Sequence, residues 1–251
     1  LSLRRQRQMC IRDRKAGEDW KRSNRRQGSP FMITVHHLEN SRSQRILWLL
    51  EELGIEYEIR TYRRDPETLL APAALKEVHP LGKSPVITDD AHTVAESGAI
   101  IEYLVARYDG EALVPDAGTP EHLRYIHWLH YAEGSAMPLL VMRLVFSRLG
   151  KPPVPAILRP VGKLLADGVH RKFLDPQLRL HLDYWESELR QTAWFAGNDF
   201  SAADIQMSFP LLAAESRADL SHYPNIRKVL QNMRDRPAYR RAIEKGGEFR
   251  L

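Results

Sequence analysis

At 251 residues, with 43% hydrophobic and 27% charged side chains, the chain has the makeup of a globular protein, long enough for one large domain or two small ones. No stretch approaches the ~20 apolar residues of a membrane helix, and the nearest patches are interrupted by Arg, Glu or Pro, which sets a membrane-spanning class aside. The net charge of +5 is unevenly placed: residues 1–31 hold 10 of the 37 Lys/Arg and 3 of the 32 Asp/Glu, so the rest of the chain is acidic by about two charges and gives no reason to expect a nucleic-acid partner.

Residues 1–31 read as a disordered or non-native basic leader. A targeting peptide is the rival reading, but Asp13, Glu18 and Asp19 interrupt the basic run. Met32 reads as the natural start, because a strand begins there. The single cysteine, Cys10, lies in the leader. No disulfide can form within the chain, no cysteine-based metal site is expected, and any thiol chemistry of the body must use a ligand's thiol. Without a secretory signal or cysteine pairs, the expected compartment is the cytoplasm.

From Met32 the pattern runs strand (32–36, MITVH), polar break, helix (46–53, closed by Gly54) and strand (55–61, IEYEIRT). A polar, proline-punctuated stretch follows, with a short helix over 73–78. Short strands at 85–88 and 93–95 flank an Asp-Asp turn, and a helix spans 97–108, its apolar face at Ile100, Ile101, Leu104 and Val105. The first βαβ unit predicts parallel pairing and the late pair antiparallel pairing. The order βαβαββα over residues 32–110 is that of a thioredoxin-like domain. From Pro120 no strand pattern is evident. Helical patterns cover 121–147, kinked by Pro138, then 177–191, 202–214, 224–234 and 237–245, with a proline-rich loop at 151–160. The expected fold is α/β plus all-α: a thioredoxin-like domain over 32–110 followed by an all-helical domain over 118–251.

Four motifs on this frame resemble those of the glutathione transferase family, over Met32 to about Ile243. The first is Asn40-Ser41-Arg42-Ser43-Gln44-Arg45, at the turn into the first helix. In serine-type members a Ser at this turn donates to the glutathione sulfur, and Ser41 matches it. A free thiol with a pKa near ~8.5 is only a few per cent ionised at pH 7, and lowering it by about two units corresponds to roughly 2.7 kcal/mol of preference for the thiolate. A hydroxyl donor and a helix N-terminus can supply that. Ser41-x-x-Gln44 is equally a helix capping box, and Asn40, Ser43 and the His36-His37 pair stay open as rivals for the sulfur contact.

The second motif, His79-Pro80-Leu81-Gly82-Lys83-Ser84-Pro85-Val86-Ile87, is similar to the family's run with a cis proline. The resemblance implies a cis Ser84–Pro85 bond and a main-chain glutathione contact at Ser84, with Lys83 pairing the glycine carboxylate; a solvated loop lysine is the other reading of Lys83. The third, Ala95-Glu96-Ser97, implies a seat for the γ-glutamyl head: Glu96 for the ammonium, and the Ser97 hydroxyl and helix amides for the carboxylate. An ordinary N-cap serine reads the same way in sequence. The fourth, Ser201-x-x-Asp204 behind Phe200, is the family's N-cap box, assigned to stability. Tyr131, Met137 and Trp128 are the candidates for the electrophile pocket. The resemblance implies a glutathione transferase that uses glutathione as co-substrate, attacks a small hydrophobic electrophile and forms a homodimer. A glutathione-dependent peroxidase and a non-catalytic binding protein on the same fold are the alternatives; a protein-cysteine redox enzyme is disfavoured, since the turn at Ser41 has no cysteine.

Overall fold

The computed structural model describes residues 32–248 except Glu67 and Leu69; the expected leader lies outside the described residues. The sheet has four strands, β1 (Ile33–Leu38), β2 (Tyr57–Tyr62), β3 (Val86–Asp89) and β4 (His92–Ala95), in the order β2-β1-β3-β4. β1 pairs parallel to β2, with Val35 opposite Ile59, while β3 runs antiparallel to both β1 and β4. Parallel pairing needs a crossover, and α1 (Gln44–Leu53) supplies it. Gly54 ends α1 in the left-handed conformation, where a side chain would be strained. The short α2 (Ala74–Val78) and the longer α3 (Ser97–Arg107) complete the expected βαβαββα order.

A 3₁₀ turn at Gly110–Leu113 leads into the helical half: α4 (Pro120–Tyr131), α5 (Met137–Ser147), α6 (Arg159–Val169), α7 (Asp175–Leu189), α8 (Ala202–Glu215), α9 (Pro224–Asp235) and α10 (Pro237–Gly246). Two expectations change here. The single kinked helix over 121–147 is two helices joined by a π-helical segment, Ala132–Ala136. Pro138 has no N–H to give the preceding turn, and the wider turn absorbs the mismatch. The proline-rich loop is also shorter than expected. Pro160 and Pro176 sit in the first turns of α6 and α7, Pro176 directly behind a second π-helical segment, His170–Leu174, that absorbs its missing N–H as the first does for Pro138, so helix extends through a region with no expected helix.

One apolar core runs through both halves. It includes Ile46, Leu47, Leu49 and Leu50 of α1, Ile100, Ile101 and Leu104 of α3, and Trp128, Trp185, Phe195 and Ile205. α10 returns to pack on α1: Gln44 donates to the Ala242 carbonyl at 2.8 Å, and Glu51 holds Arg241 at 2.7 Å and Lys245. The end of the chain therefore buttresses the helix whose start carries Ser41.

Candidate active site

The site begins where β1 turns into α1. Asn40 takes the left-handed backbone conformation at the bend and is exposed, whereas Ser41 and Ser43 behind it are buried. The Ser41 hydroxyl lies 2.7 Å from that of Ser43 and accepts the Ser43 N–H at 3.2 Å. The capping box expected from Ser41-x-x-Gln44 does not form, because the Gln44 amide reaches across to α10 instead of back to Ser41. Ser41 keeps a cap-type bond to the Ser43 N–H, but the reciprocal half of the box is missing.

Behind the serines, Ser43 Oγ meets His37 Nδ1 at 2.8 Å, and His37 Nε2 meets the Gly246 carbonyl at 2.9 Å. Burial pushes the His37 imidazole below its ordinary value, against the pull of the Gly246 carbonyl and Glu39. His36 points elsewhere, with Nδ1 at 2.9 Å from the Tyr62 hydroxyl, and is lowered by burial and by Arg60.

The Ser84–Pro85 bond is cis, as the family resemblance implied. Ser84 Oγ donates to the His36 carbonyl at 2.9 Å and sits 3.5 Å from Ser41 Oγ, so the proline turn and the serine turn meet. Pro85 is buried and Lys83 is exposed. At the third motif, Glu96 holds φ = 72°, a conformation that costs an ordinary residue about 1–3 kcal/mol and that clusters at functional sites. Glu96, not Ser97, occupies the cap position of α3, and its side chain is exposed.

Ser97 is buried and bonds to a residue of the first motif that was given no role there. Arg45, on α1, is fully buried and donates to Ser97 Oγ at 3.2 Å, to Gln206 Oε1 of α8 at 2.6 Å and to Glu133 Oε1 of the π-helical segment at 2.6 Å. Its guanidinium lies 5.1 Å from the centre of the Phe209 ring. Burial pushes Arg45 down to about 10, with Glu133 opposing, so it stays a cation at neutral pH. Arg42 also grips Glu133, at 3.0 Å. A buried cation needs such partners, since unpaired burial of charge is far costlier than a satisfied one. The signal for Arg45 was available: it lies four residues before Leu49, on the apolar face of α1. Glu133 and Gln206, 88 and 161 positions away, had none.

The three candidates for the electrophile pocket are placed differently from one another. Trp128 is fully buried, its ring centre 4.6 Å from that of Phe195, and Met137 is nearly so; neither presents surface to a pocket. Both follow an apolar helical period that is satisfied by core packing. Tyr131 is half-buried and directs its hydroxyl to α7, meeting His181 Nδ1 at 2.5 Å and accepting the Trp185 indole N–H at 2.9 Å. Of the carboxylates in the described helical half, Glu133 reaches the serine turn, through Arg42 and Arg45. Two residues before Gln206 on α8, Asp204 accepts the N–H and O–H of Ser201 at 2.9 and 2.8 Å and the Phe195 N–H at 2.8 Å, completing the capping box expected there. Ser201 and Asp204 are structural.

Comparison with known proteins agrees with this geometry. Residues 41–107 match the glutathione S-transferase N-terminal domain, and residues 170–237 match the C-terminal domain of the same family. Glutathione S-transferase 3 of Schizosaccharomyces pombe is 41% identical over 85% of this chain and 88% of its own length. Glutathione S-transferase 1 of Saccharomyces cerevisiae is 33% identical over 85% of this chain and 95% of its own. Among solved structures, a glutathione S-transferase from Actinobacillus pleuropneumoniae superposes with a TM-score of 0.72 at 34% identity, over 86% of this chain and 93% of that one. The chain belongs to the glutathione S-transferase family. Its thioredoxin-like half and helical half are those of a glutathione transferase, an enzyme that takes glutathione as co-substrate.

Proposed function

We propose that Ser41 is the catalytic hydroxyl, donating to the glutathione sulfur and holding it as the thiolate that attacks an electrophilic carbon. In that step the sulfur lone pair forms the new S–C bond, the leaving group departs with its bonding pair, and the thiol proton has already been given up. The observation that carries this reading is the meeting of Ser41 and Ser84 at 3.5 Å, which joins the sulfur turn to the cis-proline turn. Glutathione then lies as a short extended strand, its backbone paired at Ser84 beside Pro85, its glycine carboxylate near Lys83 and its γ-glutamyl head on Glu96 and Ser97. Because Ser97 Oγ accepts from Arg45, its own O–H is directed outward to the γ-glutamyl carboxylate, with the Arg45 charge behind it. The electrophile enters beside the π-helical segment, with Tyr131 as the candidate that keeps part of its ring exposed. A homodimer in the cytoplasm completes the reading; light scattering tests the dimer.

The test is a thermal-shift titration with glutathione, followed by turnover of a chlorinated aromatic substrate by wild type and Ser41→Ala. Binding stabilises the native state by mass action, so a rising midpoint reports occupancy. The Ser41→Ala variant should bind glutathione and lose at least about tenfold in kcat/KM, the equivalent of one ~1.4 kcal/mol hydrogen bond to the thiolate. Unchanged turnover overturns the assignment.

A further inference from the structure

The hydrogen bonds behind Ser41 have a direction that chemistry forces. The Gly246 carbonyl can only accept, so His37 carries a hydrogen on Nε2. In the neutral imidazole Nδ1 is then bare and must accept, and the Ser43 hydroxyl 2.8 Å away supplies the proton. The Leu38 carbonyl at 3.4 Å and Ser41 Oγ at 2.7 Å are the other acceptors within reach of Ser43 Oγ, but a proton given to either would leave the bare Nδ1 facing a hydroxyl lone pair at 2.8 Å. With its only proton spent on His37, Ser43 Oγ accepts from Ser41 at 2.7 Å. Ser84 Oγ could also take the Ser41 hydrogen, but at 3.5 Å it competes poorly with Ser43 at 2.7 Å, so in the resting state the Ser41 hydrogen is held on Ser43 and Ser41 Oγ offers the sulfur a lone pair. A hydroxyl in that state cannot donate to a thiolate.

We propose that Ser41, Ser43 and His37 form a proton relay that reverses when glutathione ionises, with His37 receiving the thiol's proton. The thiol gives its proton to Ser41 Oγ, Ser41 passes its own to Ser43, and Ser43 passes its own to His37 Nδ1. One proton moves in net terms, the S–H bond breaks heterolytically, and thiol plus imidazole become thiolate plus imidazolium. The chain then runs the other way: Nδ1–H donates to Ser43, Ser43 to Ser41, and Ser41 to the thiolate. The inference rests on the reading of Ser41 as the sulfur contact, and it adds the reason Ser41 can become a donor. His37 touches no substrate and acts through the two serines. The groups facing its ring are the Gly246 carbonyl and the Glu39 carboxylate, both of which favour the charged form, against burial, which favours the neutral one. The thiolate created at the far end adds a third favourable charge.

The experiment is a pH titration of enzyme-bound glutathione thiolate by its ultraviolet absorbance, in wild type, Ser41→Ala, Ser43→Ala and His37→Gln. A thermal-shift titration alongside it confirms that each variant binds glutathione. Ser43→Ala removes one buried oxygen, and Gln keeps a donor within reach of Gly246 but takes no proton. The relay predicts that Ser43→Ala and His37→Gln each raise the thiol's apparent pKa toward that of Ser41→Ala, by about one unit or more, a tenfold loss of thiolate at a fixed pH. A merely structural role would leave the titration midpoint in place. If Ser41→Ala raises the pKa while Ser43→Ala leaves it at the wild-type value, the relay is wrong and the Ser41 assignment stands. If Ser41→Ala has no effect, the assignment and the relay fall together. Should His37→Gln fail to fold, Ser43→Ala alone decides, since the proton has no other path in this scheme.

Discussion

Arg45 donates to the Ser97 hydroxyl at 3.2 Å from a fully buried position. Three partners surround its planar fork, and a lysine, with one compact ammonium on a flexible stem, cannot reach all three. Arg45→Lys should therefore raise the glutathione KM about tenfold, as Ser97 loses the fork N–H that fixes the direction of its hydroxyl. Arg45→Met should cost about 1–3 kcal/mol, because the buried Gln206 amide oxygen loses its donor, while Glu133 keeps Arg42. Urea midpoints and a glutathione titration on the two variants measure the two effects separately. A wild-type KM in Arg45→Lys would mean that Ser97 does not hold the γ-glutamyl head.

That relationship also shows how far the sequence reaches. β1 through α3 followed from alternation, apolar period and the breakers Gly54 and Pro85, which act within a few residues. The serine and Glu-Ser turns were legible as motifs for the same reason. Arg45 was half legible, as a charge on an apolar face, but its partners come from the π-helical segment and from α8. The pairing of His37 with Gly246 joins positions 209 apart, which no local pattern encodes. The core packing of Trp128 and Met137 was not legible, because an apolar helical position looks the same in sequence whether a ligand or the core covers it. α6 was missed because prolines mark loops in general, whereas here two of them sit in first turns.

Asp204 gives the sharpest stability prediction. Its carboxyl is fully buried and is pushed up to about 6 by that burial, against the three donors from Phe195 and Ser201 that hold it. Asp204→Ala strands the buried N–H groups of Phe195 and Ser201, each worth about 1–3 kcal/mol when left unsatisfied, and removes the cap of α8. The expected loss is about 3 kcal/mol or more by denaturant unfolding. Ser201→Ala should cost about 1 kcal/mol, since it removes one hydroxyl and leaves the backbone contacts of Asp204 in place. Equal costs in the two variants would show that the hydroxyl, not the carboxylate, anchors the box.

The two buried histidines should subtract from stability as the solution is acidified through their range. His36 and His37 both titrate below the ordinary 6.5 in the folded protein, because burial disfavours their charged forms. Below 6.5 the unfolded chain binds protons on these rings that the folded chain does not, so unfolding gains as pH drops. Above that value both states hold neutral rings and the dependence vanishes. Asp204, pushed up to about 6, works the other way in the same window, since its folded carboxyl takes a proton the unfolded chain does not, so the histidine effect is read as a difference between variants. Relative to wild type, His37→Gln should lose less stability, or gain more, as pH drops from neutral, and an unchanged slope in that variant would contradict a neutral, buried His37 imidazole.

Two glycines of opposite character test whether α10 sets the geometry of the site. A Cβ at Gly246 would come within 2.4 Å of Leu47 Cδ1 and 2.5 Å of Gln44 Oε1, far inside contact distance. Both neighbours are side chains, but Leu47 is fully buried and Gln44 is committed to the Ala242 carbonyl, so neither can swing away freely. Gly246→Ala should cost about 1–3 kcal/mol, the usual penalty for overfilling a packed contact. It should also disturb the carbonyl that fixes the His37 tautomer, which lies on the same residue. At Gly134, in the π-helical segment, an added Cβ meets nothing within 4 Å. Gly134→Ala should be neutral or stabilising by up to about 1 kcal/mol, because alanine gives up less freedom in a helix. Denaturant midpoints for the pair decide the matter: if Gly246→Ala is as harmless as Gly134→Ala, the end of α10 is not packed on α1 as described, and His37 loses the partner that orients it.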